Sequence, residues 1–473
     1  MPHAAADPLK YPWCRFQTPH FAITTDLKEQ PARTLIRKLE LFHSAAEQKL
    51  LPYLAVSPKP AELLVFSSRR DFSKATKAGI FAGYTQPSLL HTRIVMAPNQ
   101  SGHYLATTAL HEYTHFLMRN LPTYFPVWFE EGYASYLSSI EFLPNQLRLG
   151  KLPEDRGPAV SSDNRPGISR LINTRDINAL SGRRANRFYA RAWLLTQYLN
   201  NGGLAGSPDH RGQLARYLEL LNLGVPSTDA FHQAFSLSYR QLDTKLKRYS
   251  QLPQLPIRSV QVSLATPAAA EKRCLTDLQT RLLLAQAVAS RNPRYAQKLL
   301  AVVLAQQPDN VEAQVALGMA LAKGGDLEPA ETQVLSAYAT EKDRALTAVA
   351  LANVLIQRCL AEKDEACSSR WLEALSLYRE AIRVDPDRMD AVYGIGVGRL
   401  YQGLPGEALN YFRVVYHKAP WSPILNYYLG ESYARIGMYA RARVHLERAA
   451  NWAVTSYVRE AAEKALTRLP SPS

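Results

Sequence analysis

Two histidines four residues apart with a glutamate between them can hold and use a metal ion, and His111-Glu112-Tyr113-Thr114-His115 has that pattern. Residues four apart share one face of an α-helix, so both imidazoles can bind a single Zn²⁺. Glu112, beside them, is placed to take a proton from a water acidified by that ion. The bland alternative is a helix carrying two buried, hydrogen-bonded histidines. A catalytic zinc site needs a third protein ligand, with a further position left for water or substrate. The acidic residues next along the chain are Glu130 and Glu131.

The surrounding residues predict the elements that would position these groups. Asn99-Gln100-Ser101-Gly102 is a turn cluster with Ser101 as a candidate N-cap. Tyr104 to Met118 then carries Leu105, Ala109, Leu110, Phe116 and Leu117 at helical spacing, and Asn120 and Pro122 close the segment. Pro126 suits the first turn of a second helix running to Leu137, and the short connection predicts antiparallel neighbours. On that helix Glu131 faces the histidines, with Val127, Trp128, Ala134 and Ser135 around it. Glu130 points about 100° away, toward Tyr133 and Leu137. Gly132 is expected to let the two helices approach closely.

With W-x-x-E-G-x-A after H-E-x-x-H, the segment resembles the gluzincin metallopeptidases, the thermolysin-type peptidases of the MA kind. The resemblance covers roughly residues 11–252. It includes Trp13 to Asp26 as an opening strand, Phe188 to Trp193 with Tyr198 and Leu199 as a later helix, and Asp229 to Tyr249 as a closing segment. It implies an α+β zincin-like domain, a mixed sheet plus active-site helices, with zinc held by His111, His115 and Glu131. It further implies Glu112 as general base and Tyr189 as a donor to the oxyanion, with His103 and Tyr133 as rivals. An ordinary packed tyrosine is the alternative for Tyr189. One departure stands out. The family often places an acidic residue three or four positions after the ligand glutamate, to orient a histidine, and here those positions are Ala134 and Ser135. His91 to Ala97 reads as a strand before the zinc helix, either an edge able to pair with an extended peptide or an interior strand.

The rest of the chain has another organisation. Gln251 to Ala270 holds Pro253, Pro256 and Pro267 with little periodicity and reads as a boundary. Beyond it, Pro386 and Pro420, Gly396 and Gly430, Gly403 and Gly437, and Ala408 and Ala442 are each 34 residues apart. An earlier copy carries Gly318, Gly325 and Ala330, and Gly325 lies two periods plus ten before Gly403. This period and its small residues resemble tetratricopeptide repeats, which imply an all-α solenoid of helix pairs. Copies fall near 277–310, 311–344, 345–388, 389–422 and 423–456, with a capping helix near 457–468. The ten extra residues are expected between the two helices of the third copy, around Leu360 to Ser369. The expected domains are therefore 11–252, a 253–272 linker and 273–470. Such an array implies a protein partner on its concave face, where Tyr393, Arg399, Tyr401, Asn426, Tyr427 and Tyr433 are candidates; buttressing alone is the other reading.

Hydrophobic content of 47% and charged content of 21% exclude a disordered chain. The net charge of +15 comes from scattered Arg and Lys, without a basic run interleaved with aromatics. That pattern points away from nucleic acid and leaves peripheral contact with an anionic membrane surface open. No stretch approaches 18 apolar residues, so no membrane span is expected. Four cysteines form no C-x-x-C pair. Cys359 and Cys367 bracket the third-copy insertion and are either a small disulfide or two free thiols. Ala4-Ala5-Ala6 would suit the tail of a removed leader, and relatives of this architecture imply a bacterial periplasm or cell envelope; a cytoplasmic site is the alternative. Three functions follow: a zinc metallopeptidase whose repeats recruit a substrate or partner, a repeat-based adaptor with a structural or inactive zinc domain, and a zinc hydrolase of some non-peptide bond.

Overall fold

The computed structural model describes residues 11–56, 60–77, 83–87, 92–98, 105–121, 123–153, 160, 166–174, 177, 180, 182–223, 225–362, 367–420, 422–453 and 456–470. Its N-terminal part runs β1 (Cys14–Gln17), β2 (Phe21–Thr25), α1 (Glu29–Glu47), β3 (Ala61–Val65), α2 (Arg69–Thr76), β4 (Gly83–Pro87), β5 (Thr92–Met96), α3 (Leu105–Arg119), α4 (Val127–Ser138), β6 (Glu141–Leu143) and β7 (Gln146–Leu149). There follow α5 (Ile168–Asn173), α6 (Arg183–Asn201), α7 (Arg211–Asn222), α8 (Ser227–Ala234), α9 (Tyr239–Tyr249), β8 (Arg258–Gln261) and β9 (Glu271–Cys274). The remainder is helical pairs: α10 (Asp277–Val288) with α11 (Pro293–Gln306), α12 (Val311–Gly324) with α13 (Leu327–Thr340), α14 (Ala345–Glu362) with α15 (Cys367–Val384), α16 (Met389–Tyr401) with α17 (Pro405–Lys418), α18 (Pro423–Arg435) with α19 (Tyr439–Trp452), and a last helix α20 (Ser456–Thr467).

These elements form an α+β N-terminal region and a C-terminal array of helical repeats, yet the compact units do not follow a division at 253–272. One unit holds residues 1–33, 60–103 and 269–419; the other holds 34–59, 104–268 and 420–473.

The first unit contains a six-stranded mixed sheet in the order β4-β5-β3-β2-β1-β9. β2, β3 and β5 run parallel, as expected for apolar strands such as Ala61-Glu62-Leu63-Leu64-Val65 that bury side chains on both faces. β5 pairs with β3 on one side and β4 on the other, so the strand read at 91–97 is interior and β4 is the edge. At the opposite edge β9 pairs with β1, and a disulfide joins the facing residues Cys14 and Cys274. Part of the expected linker is therefore sheet. Another part, β8, pairs with β7 in the second unit. Trp13, Leu64, Phe66, Phe72, Tyr84 and Val95 share one apolar core with Leu284, Val288, Leu299, Leu300 and Val303 of the first helical pair. Asn292 fixes that junction by donating to the carbonyls of Lys74 and Ala75, both at 3.2 Å.

The helical pairs repeat one packing device. A Cβ added at Gly318, Gly396 or Gly430 would collide with Val334, Phe412 or Leu446, in each case sixteen residues further along on the partner helix. Gly325, Gly403 and Gly437, in the turn between the helices, have φ of 95°, 79° and 81°, a conformation that disfavours side chains. The 34-residue spacing of these glycines is thus the spacing of helix crossings and turns. Most of the ten extra residues of the third copy are helical rather than loop. They lengthen both helices, α14 through Glu362 and α15 from Cys367. A disulfide joins Cys359 to Cys367 across the two ends, and Glu362 bonds Arg358 at 2.9 Å and Arg370 at 3.0 Å. Among the described residues, α14 is the helix long and apolar enough to cross a membrane. Val349, Leu351, Val354 and Leu355 of α14 are core residues, which accounts for its composition. Two of the tyrosine-face candidates are core as well. Asn426 is fully buried and donates to Pro420, and the Tyr433 ring stacks on His445.

In the second unit α3 packs on α4, and α4 on α6. Pro126 precedes α4 as its N-cap rather than standing in its first turn. Gly132 permits the approach of α6, not of α3: an added Cβ would meet Thr196 Oγ1 and lie 2.5 Å from the Ala192 carbonyl oxygen. Backbone cannot yield as a side-chain tip can. Gly132→Ala is therefore expected to lower stability by about 1–3 kcal/mol in denaturant unfolding, and an unchanged midpoint would refute this packing.

Candidate metal centre

The α3 and α4 packing brings His111, His115 and Glu131 together. The two imidazole Nε2 atoms are 3.2 Å apart, and Glu131 Oε2 lies 3.3 Å from His111 Nε2 and 3.5 Å from His115 Nε2. Three tetrahedral ligands about 2.0–2.1 Å from a zinc ion would be about 3.3 Å from one another. The triangle fits such an ion without rearrangement. The donor set itself argues the same way, since two ring nitrogens and a carboxylate oxygen set lone pair against lone pair unless a cation or protons lie among them. Glu131 Oε2 is buried with no hydrogen-bond partner among the described residues. Burial pushes the Glu131 carboxyl up, but His115 and His111 outweigh that and hold it well below the usual carboxylate range. Burial likewise pushes the His115 imidazole down, and the charge of Glu131 more than restores it, leaving it raised.

Glu112 is half-buried and stands on the same helix, beside His111. The Tyr189 ring, from α6, lies against His111 with centroids 6.5 Å apart. Of the two rival donors, Tyr133 is committed elsewhere, its hydroxyl donating to the Pro52 carbonyl at 2.7 Å. His103 lies outside the described residues, as does Ser101. Ser135 does not orient a histidine: its Oγ is buried without a partner among the described residues, and so is His115 Nδ1. The tether expected from an acidic residue at that position has no replacement among the described residues.

Glu130 turns away from the metal cluster. It accepts a 2.9 Å hydrogen bond from Trp452 Nε1 of α19, with Arg119 Nε 3.9 Å away. Burial, partly opposed by Arg119 and His115, raises its carboxyl above the ordinary range. The guanidinium groups of Arg119 and Arg448 stand 5.9 and 5.8 Å from the Trp452 ring. Asn451 adds a 3.0 Å bond to the Tyr124 hydroxyl. The last repeat thus braces the helix that carries Glu130 and Glu131. Sequence reading missed this because nothing local links residue 130 to residue 452. Trp452→Phe keeps an aromatic ring and leaves Glu130 without its donor. Urea unfolding is expected to register a loss of about 1–3 kcal/mol, and no loss would mean the bond is dispensable.

A tetratricopeptide-repeat family model matches residues 286–345 and 368–420. No curated protein matches the chain. Among solved structures it is similar to a thermophilic repeat protein of Thermus thermophilus, with 21% identity and a TM-score of 0.36, over 40% of this chain and 99% of that one. It is also similar to Pseudomonas aeruginosa PilF, with 17% identity and a TM-score of 0.31, over 40% and 88% of the two chains. A third is YrrB, described as a repeat protein with an unusual peptide-binding site, at 18% identity and a TM-score of 0.27, over 39% and 90%. The family model thus places tetratricopeptide repeats at residues 286–345 and 368–420, within the array of helical pairs.

Proposed function

We propose that this chain binds a protein or peptide ligand through its repeats, and that His111, His115 and Glu131 hold a zinc ion in a metallopeptidase site of the gluzincin kind. The comparisons bear on the repeats and favour the protein-binding half of this reading. Tetratricopeptide arrays offer extended surfaces for partners, so an adaptor whose zinc cluster is structural or inert rests on the firmer footing. The hydrolytic half is carried by one observation, the spacing of three side-chain ligand atoms that suits a tetrahedral ion, with Glu112 on the same helix.

When bound, zinc would supply Lewis-acid polarisation of a carbonyl and a more acidic water. The chain's own groups would do the rest. The carboxylate of Glu112 takes the proton from the attacking water and returns it to the leaving amine. Tyr189, against His111, is the candidate donor to the developing oxyanion. That His115 Nδ1 has no partner among the described residues supports modest rather than vigorous turnover. All four cysteines are paired, which supports an oxidising compartment such as the bacterial periplasm or cell envelope.

The test uses the full chain, with zinc content measured beside cleavage of a diverse quenched-fluorescent peptide library. Cleavage by zinc-loaded protein, lost on chelation, supports the peptidase. Bound zinc with no peptide cleaved supports the adaptor.

A further inference from the structure

α5 and α6 border an open pocket of about 170 Å³ whose polar lining is Thr174 and three arginines, Arg170 and Arg184 exposed and Arg187 half-buried. Arg170, Arg184 and Arg187 line it together with the apolar groups of Pro166, Leu180 and Phe188. Among the described residues none of these three guanidinium groups has a carboxylate partner. The contrast with their neighbour Arg191 is sharp. That side chain is buried and paired with Asp243, whose carboxylate also accepts from the Ile168 backbone N–H at 3.2 Å. Among the described residues, the charged groups lining this pocket are thus all cationic.

The position of these arginines carries a cost of its own. Arg184, next to Arg183, stands in the first turn of α6, which has no acidic residue there and no side-chain cap. A helix N-terminus carries the positive end of the macrodipole and disfavours cations. Arg187 follows one turn on and Arg170 stands in the last turn of α5; lining one pocket, these like charges share a repulsion that one bound anion would relieve. Phe188 of the pocket lining precedes Tyr189 in α6. The Phe188 ring is 6.3 Å from that of Tyr189, which lies against His111.

We propose that this cavity is a subsite for a carboxylate of the peptide ligand, clamped by Arg184 and Arg187 with Arg170 closing the far side. Its volume suits a side chain or a chain end, and its apolar walls suit the carbon portion of such a group better than a hydrated inorganic ion. The choice of a peptide as carrier rests on the function proposed above; the anion site itself rests on the cavity and its three cations. A carboxylate can come from a glutamate side chain or from a peptide C-terminus, and both present the same two oxygens to the paired N–H groups of arginine.

The experiment measures binding rather than cleavage, so a failed peptidase assay and a failed subsite are distinguishable. Fluorescence anisotropy on the full chain compares three peptides: one with an internal glutamate and an amidated C-terminus, its glutamine counterpart, and the glutamine peptide with a free C-terminus. One of the two carboxylate-bearing peptides is expected to bind about tenfold more tightly than the neutral one, and which one does so identifies the source. Arg187→Gln and Arg184→Gln should each abolish that preference. Because the arginines oppose the helix dipole, the variants should unfold at the same or a higher temperature, which a merely structural role would not give. Equal affinity for all three peptides, binding of none, or a preference that survives in the Arg184→Gln/Arg187→Gln double variant would each overturn the proposal.

Discussion

Glu112→Gln is expected to leave zinc bound and to lower peptide hydrolysis by about 10²–10⁴-fold, the usual contribution of a positioned general base. The substitution keeps shape and removes only the capacity to hold a proton. Glu112 is not one of the three converging ligands, so metal content should not change. An adaptor with an inert cluster would show no cleavage in either protein, while cleavage unaffected by the variant would remove Glu112 from the chemistry. Paired measurement of zinc and rate on the same preparations separates these outcomes, since a misfolded variant would lose both.

The second large effect concerns the fold. Cys14 and Cys274 face each other across β1 and β9 and close a loop of 260 residues. Loop-closure entropy assigns such a link about 5.6 kcal/mol at 25 °C, against about 2.5 kcal/mol for the eight-residue separation of Cys359 and Cys367. Replacing Cys14 and Cys274 together by serine should therefore lower the unfolding temperature by of the order of 10 °C, and by more than the same change at Cys359 and Cys367. A smaller shift for the long-range pair would show that β9 is held by its strand pairing and the adjoining helical core alone.

How much of this was legible in the sequence depends on whether the information was local. His111 and His115 declare themselves because four-residue spacing is a helical distance, and the wheel separated Glu131 from Glu130 for the same reason. The glycines of the repeats were legible because crossings and turns recur at a fixed period. The rest is long-range. β9 reads Glu271-Lys272-Arg273-Cys274, is exposed along its length and carries no apolar alternation, so only its partner β1 makes it a strand. Gly132 advertises a close approach without saying by which helix. Trp13 joins the sheet to helices some 270 residues further along through burial that no local pattern encodes. Glu130 and Trp452 meet for equally non-local reasons, and the cavity arginines become a group only when α5 is laid beside α6.

The central claim is that three side chains converge on one divalent ion. Elemental analysis of the full chain, loaded with zinc and dialysed, tests it directly. The wild type is expected to retain about one zinc per chain, and His115→Ala and Glu131→Ala to retain almost none while keeping wild-type far-ultraviolet circular dichroism. A folded wild type that holds no zinc, or variants that hold as much as the wild type, would contradict the account.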